Sequence, residues 1–148
     1  MTTEVTRVVT RLLLPPTAMV AFAILVKGYV DTGDGFSAGV VLSLGILLQF
    51  LAFGSTVADQ LPIVRLAPRL AVIGLGIALA VTFVPVLLGD DVMTHRPGPD
   101  EKVIHIGSVE VLTAFAFDIG VFLVVLGFAV GVIDLVAHSI DRRTGARQ

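Results

Sequence analysis

The chain has 148 residues, of which 55% are hydrophobic and 15% charged, with mean hydropathy +0.97 and a formal net charge of −2. A soluble domain carries about 25% charged residues, so a water-soluble enzyme, a disordered tail and (for want of a basic surface) a nucleic-acid binder are all poor readings. With no cysteine, neither a disulfide nor a thiolate metal site is available.

In chain order, Val5, Val8, Val9 and Leu12 recur at helical spacing with Arg7 and Arg11 on the other side, a pattern of a short interfacial helix. Pro15 and Pro16 then kink the chain or open the first transmembrane turn. A membrane-crossing helix needs roughly 20 mostly apolar residues, because about 30 Å of hydrocarbon is crossed at 1.5 Å per residue. Four stretches qualify, over approximately 12–29, 36–54, 70–89 and 109–137. They are continuously apolar rather than alternating, so helices and not barrel strands satisfy their backbone groups. The expected fold is an all-α integral membrane protein, one membrane domain of four helices. The small residues Ala21 and Ala23 around Phe22 resemble a signal-peptide cleavage site, but the apolar run continues through Val26, against cleavage. Pro62 and Pro68 punctuate the second loop, Pro97 and Pro99 the third (90–108), and Pro85 sits within the third span.

Loop charge sets the orientation. Arg7, Arg11, Arg65, Arg69, Arg142, Arg143 and Arg147 fall on one side of a four-helix topology, and only Lys27, Arg96 and Lys102 on the other. This favours both termini in the cytoplasm and the 90–108 loop outside. Small residues four apart, Gly39 and Ser43, Gly76 and Ala80, Gly127 and Gly131, permit close helix approach within this chain or with a partner.

Asp118 is the polar residue deepest in the fourth span, nine or ten residues in, and Ala114, Phe115, Val121 and Phe122 around it offer no partner. Such a carboxylate faces a bundle interior or a water-filled path, where it binds a proton or cation, or it caps a broken helix or bonds a neighbouring subunit. Gly120 allows local unwinding or a close neighbour. Glu110 and Asp134 lie near the two ends of that span and read as interfacial, and Lys27 snorkels to the outer interface. Gln49, Ser43 and Thr82 read as bonds to neighbouring helices. The run from Gly33 to Ala38 fits a loose dinucleotide fingerprint but has no strand before it. The oxygen spacing of a calcium loop fails at Gly33 and Gly35. His95, His105 and His138 lack paired-ligand spacing, so no metal site is expected.

Two segments carry a resemblance. The stretch from Lys27 through Gly28, Tyr29, Asp31, Gly33, Asp34, Gly35 and Phe36 to Gly39, and the stretch from Phe117 and Asp118 through Gly120 to Gly127, resemble the signatures of the B subunit of Mrp-type multisubunit Na+/H+ antiporters. Arg11 before the prolines and Gly89 closing the third span also fit. Tyr29, Thr32 and Asp34 stand where that family commonly has His, Pro and the middle of three glycines, so no role for that His is carried over. The resemblance implies a small subunit of a hetero-oligomeric complex in the prokaryotic cell membrane that exchanges Na+ for H+ in pH and sodium homeostasis. It implies no enzymatic chemistry and no cofactor, with Na+ and H+ as transported ions and the other subunits and membrane lipid as partners. Asp118 is then the candidate for the ion or proton path, Glu110, Asp134 and Lys27 secondary candidates, and Gly28, Gly33, Asp34, Gly35, Phe36, Gly39 and Gly120 the structural motif. Two alternatives stay open: an assembly subunit without ion contact, and the related membrane module of a complex-I-like hydrogenase.

Overall fold

The structure, a computed structural model, describes residues 4–28, 33–87, 105–106, 109–110 and 113–145. Helix α1 covers Glu4–Lys27, α2 Asp34–Phe53, the single turn α3 Ser55–Ala58, α4 Pro62–Leu87 and α5 Thr113–Gly145. His105–Ile106 (β1) and Val109–Glu110 (β2) form a two-residue antiparallel pairing ahead of α5. Four of the helices are long and apolar enough to cross a membrane, which makes this a multi-pass membrane protein.

Boundaries differ from the sequence-based expectation where local chemistry is silent about length. No separate interfacial helix precedes the first span: α1 is continuous from Glu4 and carries Pro15 and Pro16 in its interior. Two prolines release the carbonyls four residues before them, a cost that membrane helices tolerate when neighbours supply donors. One residue before the first of those carbonyls, that of Arg11, Gln49 of α2 donates its Nε2–H to the Thr10 carbonyl at 2.8 Å and ties α1 to α2. At the other end of the chain, α5 starts at Thr113 and continues to Gly145, beyond the apolar run. Most of the 90–108 loop, and the residues 29–32 of the glycine-rich turn, lie outside the described residues.

The helices pack in the order α1 on α2, α2 on α5 and α5 on α4, so α2 and α5 are central and α1 and α4 flank them. Glycine decides how close the central pair comes. A Cβ built on Gly35 would collide with the Asp118 backbone carbonyl, and one on Gly39 would lie 3.0 Å from Val125. On the opposite flank, Gly74 of α4 faces Gly120 of α5, where a Cβ would come 2.6 Å from the Gly120 carbonyl oxygen, and Gly127 abuts Ala67 and Ala71. Gly120 therefore serves a close neighbour, within an unbroken helix. By contrast, Gly76 and Gly131 have nothing within 4 Å among the described residues, so those members of the small-residue stripes do no packing against them.

Ser43 and Thr82 also depart from expectation. Each hydroxyl donates to the carbonyl four residues back in its own helix, Gly39 at 2.6 Å and Ala78 at 2.8 Å, instead of to a neighbour. The apolar core gathers at the end where α2 closes and α4 opens: Ile46, Phe50, Ala58, Val64, Ala67, Leu126 and Val130. Outward faces are rich in large exposed apolar residues, such as Met19 and Phe22 on α1 and Val72 and Leu79 on α4. In a bilayer these meet lipid tails or other subunits at no hydrophobic cost.

Candidate functional site

Asp118 is only 3% exposed, although it sits just five residues after the start of α5 and so nearer the helix end than the apolar run suggests. Its partner is a backbone group: the N–H of Gly33 donates to Asp118 Oδ2 at 2.8 Å. Gly33 is the N-cap of α2, has no side chain to cap with, and holds φ at 112°, the left-handed region that glycine adopts without strain. The helix that follows presents its positive end here, which favours a carboxylate. Asp118 thus completes α2 from another helix. At the middle-glycine position, Asp34 opens α2, and the positive φ of the turn falls on Gly33 instead.

The glycines of the first signature crowd around this carboxylate. A Cβ on Gly28 would stand 2.9 Å from Asp118 Oδ2 and 3.5 Å from Asp34 Cβ, so bare backbone is what lets the end of α1 close over the acid. Gly35 brings α2 onto the Asp118 backbone itself. Across the mouth, Lys27 Nζ donates to Asp34 Oδ2 at 3.2 Å and ties the end of α1 to the start of α2. Phe36 points outward and is 58% exposed. Gly28, Gly33, Asp34 and Gly35 are therefore gathered with Asp118 and Lys27 at one end of the bundle, with Gly39 one turn further along the same α2–α5 seam. Two sequence segments some 85 residues apart meet at a single carboxylate.

Of the secondary candidates, Asp134 does not join them, and Glu110 is described by its backbone alone. Glu110 pairs through its backbone position with His105 in the β1–β2 pairing. Asp134 lies sixteen residues along α5 from Asp118, about 24 Å by helical rise. There it meets residues that the sequence pattern alone does not bring together. Asp59, in the turn between α3 and α4, and Asp134 and His138 of α5 place one ligand atom each within 4.8 Å of the others. The Asp134–His138 spacing of four residues is a visible signal of a shared helix face. Asp59 gives no such signal, being 75 residues away in sequence.

Residues 5–131 match the family described as a domain related to the MnhB subunit of Na+/H+ antiporter. The chain belongs to that family. The Na+/H+ antiporter B subunit of Alkalihalophilus pseudofirmus is 32% identical over 138 residues, 90% of this chain and 89% of the relative. Its counterpart in Bacillus subtilis, also a Na+/H+ antiporter B subunit, is 33% identical over 125 residues, 80% and 82% of the two chains. The chain is also 31% identical to part of a probable K+/H+ antiporter A/B subunit of Rhizobium meliloti; it spans 13% of that longer protein's length. The MnhB match covers α2 and the part of α5 that carries Asp118 and Gly127, and ends before Asp134 and His138.

Proposed function

We propose that this chain is a small membrane subunit of a multisubunit Na+/H+ antiporter, with both termini in the cytoplasm and Asp118 on the route of the transported proton or cation. The observation that carries this reading is the meeting of the two family signatures at Asp118, in a chain that aligns with B-subunit relatives over most of both lengths. A buried carboxylate that accepts from one backbone N–H among the described residues keeps lone pairs for a proton or a monovalent cation. It lies at the end of the bundle, where the route passes between this chain and a neighbour. The chain performs no covalent chemistry in this reading and needs no cofactor beyond the ions it helps to move.

The test is co-purification together with transport. Deleting the chain is expected to abolish Na+-induced collapse of the pH gradient in everted membrane vesicles, and restoring it in trans to recover that signal. Large antiporter-type membrane subunits should co-purify with a tagged copy. Antiport undiminished by the deletion would overturn the reading, and co-purified metal-cluster subunits would favour the hydrogenase module instead.

Orientation has its own test, made simple by the cysteine-free background. A membrane-impermeant maleimide should label an Asp100→Cys variant in intact cells and leave Arg142→Cys unlabelled, with the reverse pattern in everted vesicles. The inverse result would place the termini outside.

A further inference from the structure

His138 is oriented by its own helix. Its Nδ1 lies 3.0 Å from the Asp134 carbonyl oxygen, and since a carbonyl only accepts, Nδ1 carries the hydrogen. In the neutral ring Nε2 is then a lone pair, and it faces Asp59 Oδ2 at 3.2 Å. Two lone pairs brought to that distance need a positive charge between or beside them. A proton on Nε2 would satisfy this one contact. Two carboxylate oxygens remain: Asp59 Oδ1 and Asp134 Oδ1 are both shut off from solvent and have no hydrogen-bond partner among the described residues. Asp134 Oδ1 sits 3.2 Å from Nδ1, whose single hydrogen it shares with the nearer carbonyl. A divalent cation answers several oxygens at once.

We propose that Asp59, Asp134 and His138 form a site for a divalent transition-metal cation of the zinc type, with Nε2 of His138 and one oxygen from each carboxylate as ligands. The geometry suits such an ion. Tetrahedral coordination with metal–ligand bonds of about 2.0–2.1 Å has ligand–ligand edges of about 3.3 Å, and Nε2 and Asp59 Oδ2 stand 3.2 Å apart. A histidine that binds metal through one nitrogen donates its other N–H to a carbonyl or carboxylate, as Nδ1 does here. An imidazole among the ligands disfavours Mg2+ and Ca2+, which take oxygen. The ion would clamp the α3–α4 turn onto α5 at the end of the bundle opposite Asp118, so the site is separate from the proposed transport role and stands or falls independently of it.

The experiment titrates Zn2+ alone, by calorimetry, into the full chain purified with its co-purifying subunits on a tag free of histidine, with Co2+ absorption reporting coordination geometry. Saturable Zn2+ binding at one ion per chain and tetrahedral-type Co2+ bands are expected. Asp59→Asn and His138→Gln should each weaken binding about tenfold or more, and His138→Cys, which restores a ligand, should recover it. Should His138→Gln fail to accumulate, Asp59→Asn in the surface turn carries the comparison. Absence of binding by the native chain, or equal affinity in the native chain and Asp59→Asn, would overturn the site and leave a proton as the charge the cluster holds.

Discussion

Asp118→Leu will remove this chain from its complex, whereas Asp118→Asn will leave it assembled and silence transport. The two substitutions separate the jobs that one carboxylate performs. Leucine matches the size but takes away the acceptor of the Gly33 N–H. A hydrogen bond to a charged group contributes about 1.5–3 kcal/mol, a large share of a total stability of about 5–15 kcal/mol. The N-terminal turn of α2 would then come loose from α5, along with the end of α1 that Lys27 ties to it through Asp34. Asparagine keeps a carbonyl oxygen in the same place and so retains a neutral bond of about half the strength, but it cannot take up a proton or balance a cation. Subunit abundance and co-purification measure the first effect, and the Na+-dependent signal in everted vesicles the second. Full antiport by the Asn variant would confine Asp118 to capping α2. Loss of assembly by the Asn variant would make its role structural.

Gly35→Ala is expected to be as damaging as Asp118→Leu, although it adds a single methyl group. The added carbon has nowhere to go, because the atom it meets is the Asp118 backbone carbonyl and not the end of a movable side chain. Overpacking of this kind costs about 1–3 kcal/mol and occasionally more. Here the only relief is to lift α2 away from α5, which also draws the Gly33 N–H off the carboxylate. Gly76→Ala is the matched control: that position is open and lies mid-helix, so alanine should be neutral or slightly stabilising. Unfolding by denaturing detergent, followed on the purified chain, should show a clear loss for Gly35→Ala and none for Gly76→Ala. Equal resistance of both variants would mean that the α2–α5 contact is not what holds this end together.

The four helices are legible in the sequence because continuous apolar runs have one solution in a bilayer, and the glycine seam is legible as a pattern of small residues. Which small residues face which neighbour is not. Gly39 and Gly127 are packed while Gly131 is open, and nothing in a four-residue spacing distinguishes them. Ser43 and Thr82 mislead because a hydroxyl bonded to its own helix and one bonded across a seam leave the same trace in sequence. Asp118 can be singled out by its cost, but its partner cannot, since nearly every residue has an N–H and only the fold brings that of Gly33 to it. The Asp59–Asp134–His138 cluster is hidden for a related reason: its three members are ordinary where they stand, and tertiary proximity alone makes them a group.

Both clusters depend on α5, and α5 leaves the ribosome after the other three spans. Until it is inserted, the Gly33 N–H has no acceptor, Gly35 and Gly39 have no surface to close upon, and Asp59 has neither of its companions. The first helices therefore enter the bilayer as an unfinished hairpin with a polar start to α2. Arrival of the fourth span seals the hairpin at one end and the inter-helix turn at the other in a single event. Closure of these two contacts thus waits on α5, which follows the other three described spans in the chain. A chain cut short before α5 would leave both of these ends unsealed.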